Sequence, residues 1–183
     1  MCLFRFLQCL HPYLPILAKR DPDECYDASP ILFWVILYIT CRRYTKDRVF
    51  FQALVDHVEK DIWKAVSATI TTLETVHAVL FLCAWPLPNL RLLIDPSTNL
   101  VSLITSGAML LGVQTGRGSS KEFCVGGRRE CIFSDEEAAS TWFACFCFHF
   151  ETGVKNPSFS NINFRCVGSS LFYVEEKLHE QVH

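Results

Sequence analysis

The chain has 183 residues, 50% of them hydrophobic and 13% aromatic, which is enough apolar material for the core of one domain and excludes disorder throughout. Lys plus Arg total 17 against 19 Asp plus Glu, a formal charge of −2, so the basic excess of a nucleic-acid-binding domain is missing.

The first twenty residues, MCLFRFLQCLHPYLPILAKR, imitate a signal peptide, but His11, Pro12 and Pro15 interrupt the apolar run and no A-x-A site follows. They read as a truncated or fraying first helix. Asp21-Pro22 with Asp23 and Glu24 then supplies a cap, a proline at the first helical position and acids in the first turn. Ser29-Pro30 repeats the signal ahead of a helix over Ile31–Arg43, and Arg42 and Arg43 place positive charge at its carbonyl end. The basic run CRRYTKDR (Cys41–Arg48) reads as a solvated helix end rather than a phosphate contact or nuclear address.

In Val49–Ala65, Phe50, Leu54, Val58 and Ile62 recur at helical spacing with Asp56, Glu59 and Lys60 between them, which predicts a surface helix with one buried stripe. Thr71 with Glu74 forms a capping-box pair before Val76–Trp85, and Pro86 and Pro88 end that helix. Asp95-Pro96 opens the next helix, Ser97–Leu111, for which Gly112 or Gly116 supplies the stop. Residues 114–133 (Gln114–Phe133) hold four glycines and four basic side chains and read as an exposed loop. Ser134 with Glu137 is a second capping box. Gly153–Asn163 reads as another loop, and Ser170–Val182 as a charged amphipathic last helix.

Five helix starts of this kind predict an all-α chain: an irregular bundle of six to eight helices, forming a single domain over 1–183. Ile31–Thr40 and Val76–Trp85 are apolar nearly all round and belong at its centre. Both fall short of the ~20 residues that span a bilayer, and Leu100–Val113 is interrupted by Ser, Thr and Gly, so all three read as buried helices.

The ten cysteines are scattered with no C-x-x-C, mostly within apolar runs, which fits a reducing intracellular setting. Cys145, Cys147 and His149 form C-x-C-x-H; a strand would align all three for a metal, whereas a helix turns Cys147 away. His77 and Cys83 lack a visible orienting group for nucleophilic chemistry. GRGSSK (Gly116–Lys121) lacks the glycine spacing and the strand of a phosphate loop. No catalytic, cofactor-binding, metal-binding or DNA-binding residue is assigned, and the chain is expected to be no enzyme.

Four stretches together resemble the middle regulatory region of fungal zinc binuclear-cluster transcription factors. HPYLPIL (His11–Leu17) leads into DPDECYDASPILFWVILYITCRR (Asp21–Arg43), which resembles that region's entry and long apolar helix. TVHAVLFLCAWPLP (Thr75–Pro88) is similar to its most specific segment, with His77 where glutamine is usual. Asp95–Val113 keeps Asp95, Pro96, Ala108, Leu111 and Gly112, with Thr98 in place of a tryptophan, and Trp142–Phe146 resembles a later segment. The likeness covers residues 11–150.

The resemblance implies a helical regulatory domain of a transcription factor, nuclear, with no cofactor of its own, acting on RNA polymerase II transcription through attached segments, a protein partner or a small effector. The family's six-thiolate zinc cluster grips DNA; the pairs Cys2/Cys9 and Cys124/Cys131 lack its C-x-x-C steps, so the chain is expected to be an incomplete piece of such a regulator, without the DNA reader. As a piece, it is expected to leave apolar faces of Ile31–Thr40 or Val76–Trp85 uncovered and to be poorly soluble alone. Two rival readings are a membrane-associated helical protein and a small metal-dependent enzyme using Cys145, His149 and His77.

Overall fold

A computed structural model describes residues 2–44, 47–68, 72–88, 97–116 and 133–153. Their regular structure is helical, as the caps predict: α1 (Cys2–Cys9), α2 (Pro22–Ala28), α3 (Pro30–Tyr44), α4 (Arg48–Ser67), α5 (Leu73–Ala84), α6 (Ser97–Leu110) and α7 (Asp135–Gly153). Single 3-10 turns occupy His11–Tyr13 and Val113–Thr115.

Most of the expected starts form. The Asp21 carboxylate accepts the Asp23 amide at 3.1 Å, and the Ser29 hydroxyl accepts the Leu32 amide at 3.4 Å. Ser134 and Glu137 exchange amide bonds, each 3.1 Å long, the reciprocal pairing of a capping box. Asp47, outside the five expected starts, caps α4 by accepting from both Val49 and Phe50 at 3.0 Å. The start of α5 is a correction. Its cap is Thr72, whose hydroxyl accepts the Thr75 amide at 3.3 Å, rather than Thr71 paired with Glu74. Either threonine can cap chemically; the Thr72 frame puts Leu73 in the core and leaves Glu74 for a partner elsewhere in the chain. Asp95-Pro96 lies outside the described residues.

Two glycines stop α6 and the turn behind it. Gly112 adopts φ 79° and its amide bonds the Met109 carbonyl at 3.0 Å; Gly116 adopts φ 65°. A side chain at either position would strain this left-handed backbone. The expected open loop over 114–133 therefore begins differently: Gln114 and Thr115 belong to a half-buried 3-10 turn packed on α7, and residues 117–132 lie outside the described residues. At the other loop, α7 continues to Gly153; residues 154–183, with the expected last helix, are likewise outside.

α3 and α5 occupy the centre, as their all-round apolarity predicts. α3 packs against α1, α2, α4 and α5; α5 packs against α3, α6 and α7. Every residue of α5 from Val76 to Cys83 is buried. Phe6 of α1 meets Phe81 edge-on, ring centres 5.1 Å apart, and closes one side of this core. On α4 the buried stripe is Leu54, Val55, Val58, Ile62 and Val66. Phe50 is displaced from it, 47% exposed, and Phe51 takes its place by stacking on Tyr38 at 5.8 Å. At about 3.6 residues per turn, position 51 falls on the face made by 54, 55, 58 and 62, and position 50 lies one step of about 100° away from it.

Of the two segments expected to be left uncovered in an isolated piece, Val76–Cys83 is buried throughout, whereas Ile31, Phe33, Trp34 and Leu37 of α3 are half-buried. Among the described residues the large exposed apolar side chains lie elsewhere: Phe4 on α1, Tyr13 in the turn behind it, Tyr26 on α2, Val49, Phe50 and Trp63 on α4, Leu103, Met109 and Leu110 on α6, and Phe146 on α7. No helix among the described residues is long and apolar enough to cross a membrane.

Candidate functional site

One polar seam runs from the half-buried Lys19–Glu74 pair to the fully buried His77 and Thr141. Leu14, Ile16 and Leu17, all buried, pin the segment between α1 and α2 onto the core. This holds Lys19 where its ammonium meets the Glu74 carboxylate at 2.6 Å, near the start of α5. One helical turn further, the His77 ring Nε2 lies 2.7 Å from the Thr141 hydroxyl of α7. Glu137, one turn before Thr141, adds its negative field at Lys19. The Cys25 thiol of α2 approaches the Lys19 carbonyl at 3.9 Å. Three stretches of chain, distant in sequence, are thus joined by polar contacts.

The charges respond to this placement. Burial favours a neutral Glu74, but the Lys19 hydrogen bond and charge outweigh it and hold the carboxyl below its ordinary value. Burial likewise disfavours a charged Lys19, and Glu74 reverses the balance, raising the ammonium above its ordinary value. His77 is pushed down to about 4, chiefly by burial; Glu74 opposes the shift and Lys19 adds to it. Burial also raises the Cys25 thiol, against the pull of Lys19.

The imidazole is therefore neutral and already engaged. At 2% exposure, no dissolved substrate reaches it in this arrangement, whereas a general base must touch the proton it removes. The seam's chemistry is cohesion between helices.

The other residues singled out in the sequence do not converge. Cys145 is buried and burial pushes its thiol up to about 12; Cys147 is half-buried; His149 is exposed. The helical form of α7 turns Cys147 away from the side shared by Cys145 and His149, and among the described residues no group of three His, Cys, Asp or Glu is placed to hold a metal. Cys83 lies buried in α5, while the His77 ring is turned to Thr141. In the basic run, Cys41 is buried, and exposed Arg42 donates to the Pro86 carbonyl at 3.2 Å. Gly116 ends the described part of GRGSSK, and Cys124 and Cys131 lie outside.

Sequence reasoning missed Lys19, Glu74 and Thr141 as parts of one site. The available signal was Glu74 and His77 three residues apart, hence on one side of a mostly apolar helix.

The chain is 30% identical over 146 residues to a SEF1 transcription factor of Eremothecium gossypii, a match to 77% of this chain and 13% of the relative. It is 28% identical over 120 residues to the transcriptional regulatory protein SEF1 of Candida albicans, covering 65% of this chain and 13% of that protein. A SEF1 transcription factor of Saccharomyces cerevisiae is 30% identical over 110 residues, covering 57% and 9%. The chain thus spans between 9% and 13% of the length of these relatives. No protein-family model and no solved structure matches the chain.

Proposed function

We propose that the chain is a non-catalytic helical regulatory module of a fungal transcription regulator, acting in the nucleus on RNA polymerase II transcription. The observation that carries this reading is the 30% identity over 146 residues to the Eremothecium gossypii transcription factor. The all-helical bundle fits it, because a packed helical body can receive a partner or small effector and bias the segments attached to it. In this reading DNA contact belongs to a zinc cluster elsewhere in the regulator, and these helices carry no nucleic-acid interface; the formal charge of −2 agrees. His77, the one buried histidine among the described residues, is committed to Thr141, which supports a structural role over a catalytic one.

The test is to tether the 183-residue chain to an unrelated DNA-binding domain in yeast and read a reporter gene placed behind that domain's site. A severalfold rise or fall against the DNA-binding domain alone, with the fusion in the nucleus, is the expected result. An unchanged reporter from a fusion that is expressed and nuclear overturns the reading.

A further inference from the structure

We propose that His77 and Thr141 form an acid-sensitive latch that holds α7 against α5. The inference rests on the geometry of the seam and stands or falls independently of the role in transcription.

Of the packings of α7 with α5, α6 and the turn behind α6, the one with α5 is the slightest, and the latch lies there. α7 packs along α6 and the 3-10 turn that follows it, but it meets α5 over a shorter stretch that contains the 2.7 Å bond between the imidazole Nε2 and the Thr141 hydroxyl. The cap of α7, Ser134 with Glu137, is exposed, so the start of the helix can move without breaking a buried bond. α7 can therefore part from α5 while remaining on α6.

Protonation is disfavoured in the closed arrangement, chiefly because it buries a charge. A neutral ring can donate to or accept from the hydroxyl, whereas an imidazolium only donates. Its charge would also sit in full burial with no free counter-ion. On α5 itself the nearby carboxylate is Glu74, already paired with Lys19 at 2.6 Å. On α7 the acid is Glu137, whose field also falls on Lys19. α6 carries no charged residue between Ser97 and Leu110. α3 brings Arg42 to Pro86, at the opposite end of α5, and the charge on α1 is the exposed Arg5. The proton is thus accepted once α7 lifts and water reaches the ring, and the bound proton then holds the open form.

Hydrogen exchange on the full chain, corrected for intrinsic rates, measures this. With the closed ring titrating at about 4 and the opened ring at its ordinary 6.5, the opening constant of α7 amides around Thr141 should rise about twentyfold from pH 7.0 to pH 5.0. These amides should open more readily than those around Val58 and Ile62 of α4 at both pH values. His77→Gln keeps a hydrogen-bonding side chain that does not titrate, and should abolish the pH response. Thr141→Val should raise opening at pH 7.0 by about tenfold. The proposal is overturned if the wild-type α7 opens equally at both pH values, if α7 opens only together with α4, or if folded His77→Gln retains the response. Should a variant not fold, the wild-type comparison of α7 with α4 still decides.

Discussion

Tyr38 and Pro86 are joined by a 2.9 Å hydrogen bond from the phenol hydroxyl to the proline carbonyl, across 48 residues of chain. The bond addresses a problem that the sequence creates locally. Pro86 cannot continue α5, which ends with the Trp85 amide on the Phe81 carbonyl at 2.8 Å, and the carbonyls beyond need other donors. Tyr38 provides one from the buried face of α3, and Arg42 provides a second one turn later at 3.2 Å. The centre of the bundle is thereby tied at the foot of its two apolar helices.

Tyr38→Phe keeps the ring's stacking on Phe51 and removes one of the two donors. The expected loss is about 1 kcal/mol, read as a lower urea midpoint at unchanged slope. Adding Arg42→Ala should cost more than the sum of the two single changes, because only the double variant leaves the carbonyl without either donor. Strict additivity would show that the carbonyl does not depend on them.

Ser134→Ala should destabilise by about 1 kcal/mol, the usual worth of an N-cap, because it removes the acceptor of the Glu137 amide. Asp47→Ala should cost a similar amount through α4, where one carboxylate oxygen serves two amides. Thermal melts of both variants check this; a melting point equal to wild type for either would contradict the cap assignment.

The Lys19–Glu74 pair carries a defined pH dependence. The Glu74 carboxyl is held below its ordinary value of 4.5, so its contribution is present above that value and is lost as pH falls through the lower, folded value. The Lys19 ammonium is held above its ordinary 10.5, so its contribution is present below that value and is lost as pH rises through the higher, folded value. The lysine side chain is 35% exposed, and after solvent screening the pair should contribute about 1 kcal/mol at neutral pH. Lys19→Met should remove this at pH 7 and narrow the gap to wild type below the carboxylate range. A gap that stays constant from pH 7 to pH 3 would rule out the charge as its source.

Thiol labelling should separate the cysteines by burial. Cys9 is exposed, whereas Cys145 is fully buried with its thiol pushed up to about 12. At pH 8, iodoacetamide should modify Cys9 in the folded chain and reach Cys145 only after denaturant is added. Labelling of both at equal rates under native conditions, found by peptide mass mapping, would contradict the buried placement of α7.

Much of this protein was decided by residues acting on their near neighbours. Asp21, Ser29 and Ser134 cap helices because a short polar side chain reaches amides two or three positions ahead, a geometry set by the chain itself. Gly112 stops α6 because a residue without Cβ accepts φ 79°, and Val76–Cys83 is central because it has no face to offer water. Where two neighbours could do the same job, as with Thr71 and Thr72 or Phe50 and Phe51, packing decided, since only one frame puts the apolar stripe against the core. The pairings of Lys19 with Glu74, His77 with Thr141 and Tyr38 with Pro86 belong wholly to the tertiary structure. They span 55, 64 and 48 residues, and no local rule relates such partners; the packing of α3, α5 and α7 brings them within hydrogen-bond reach. The separation of Cys147 from Cys145 and His149, by contrast, follows from the helix itself, whose turn sets position 147 on another side from 145 and 149.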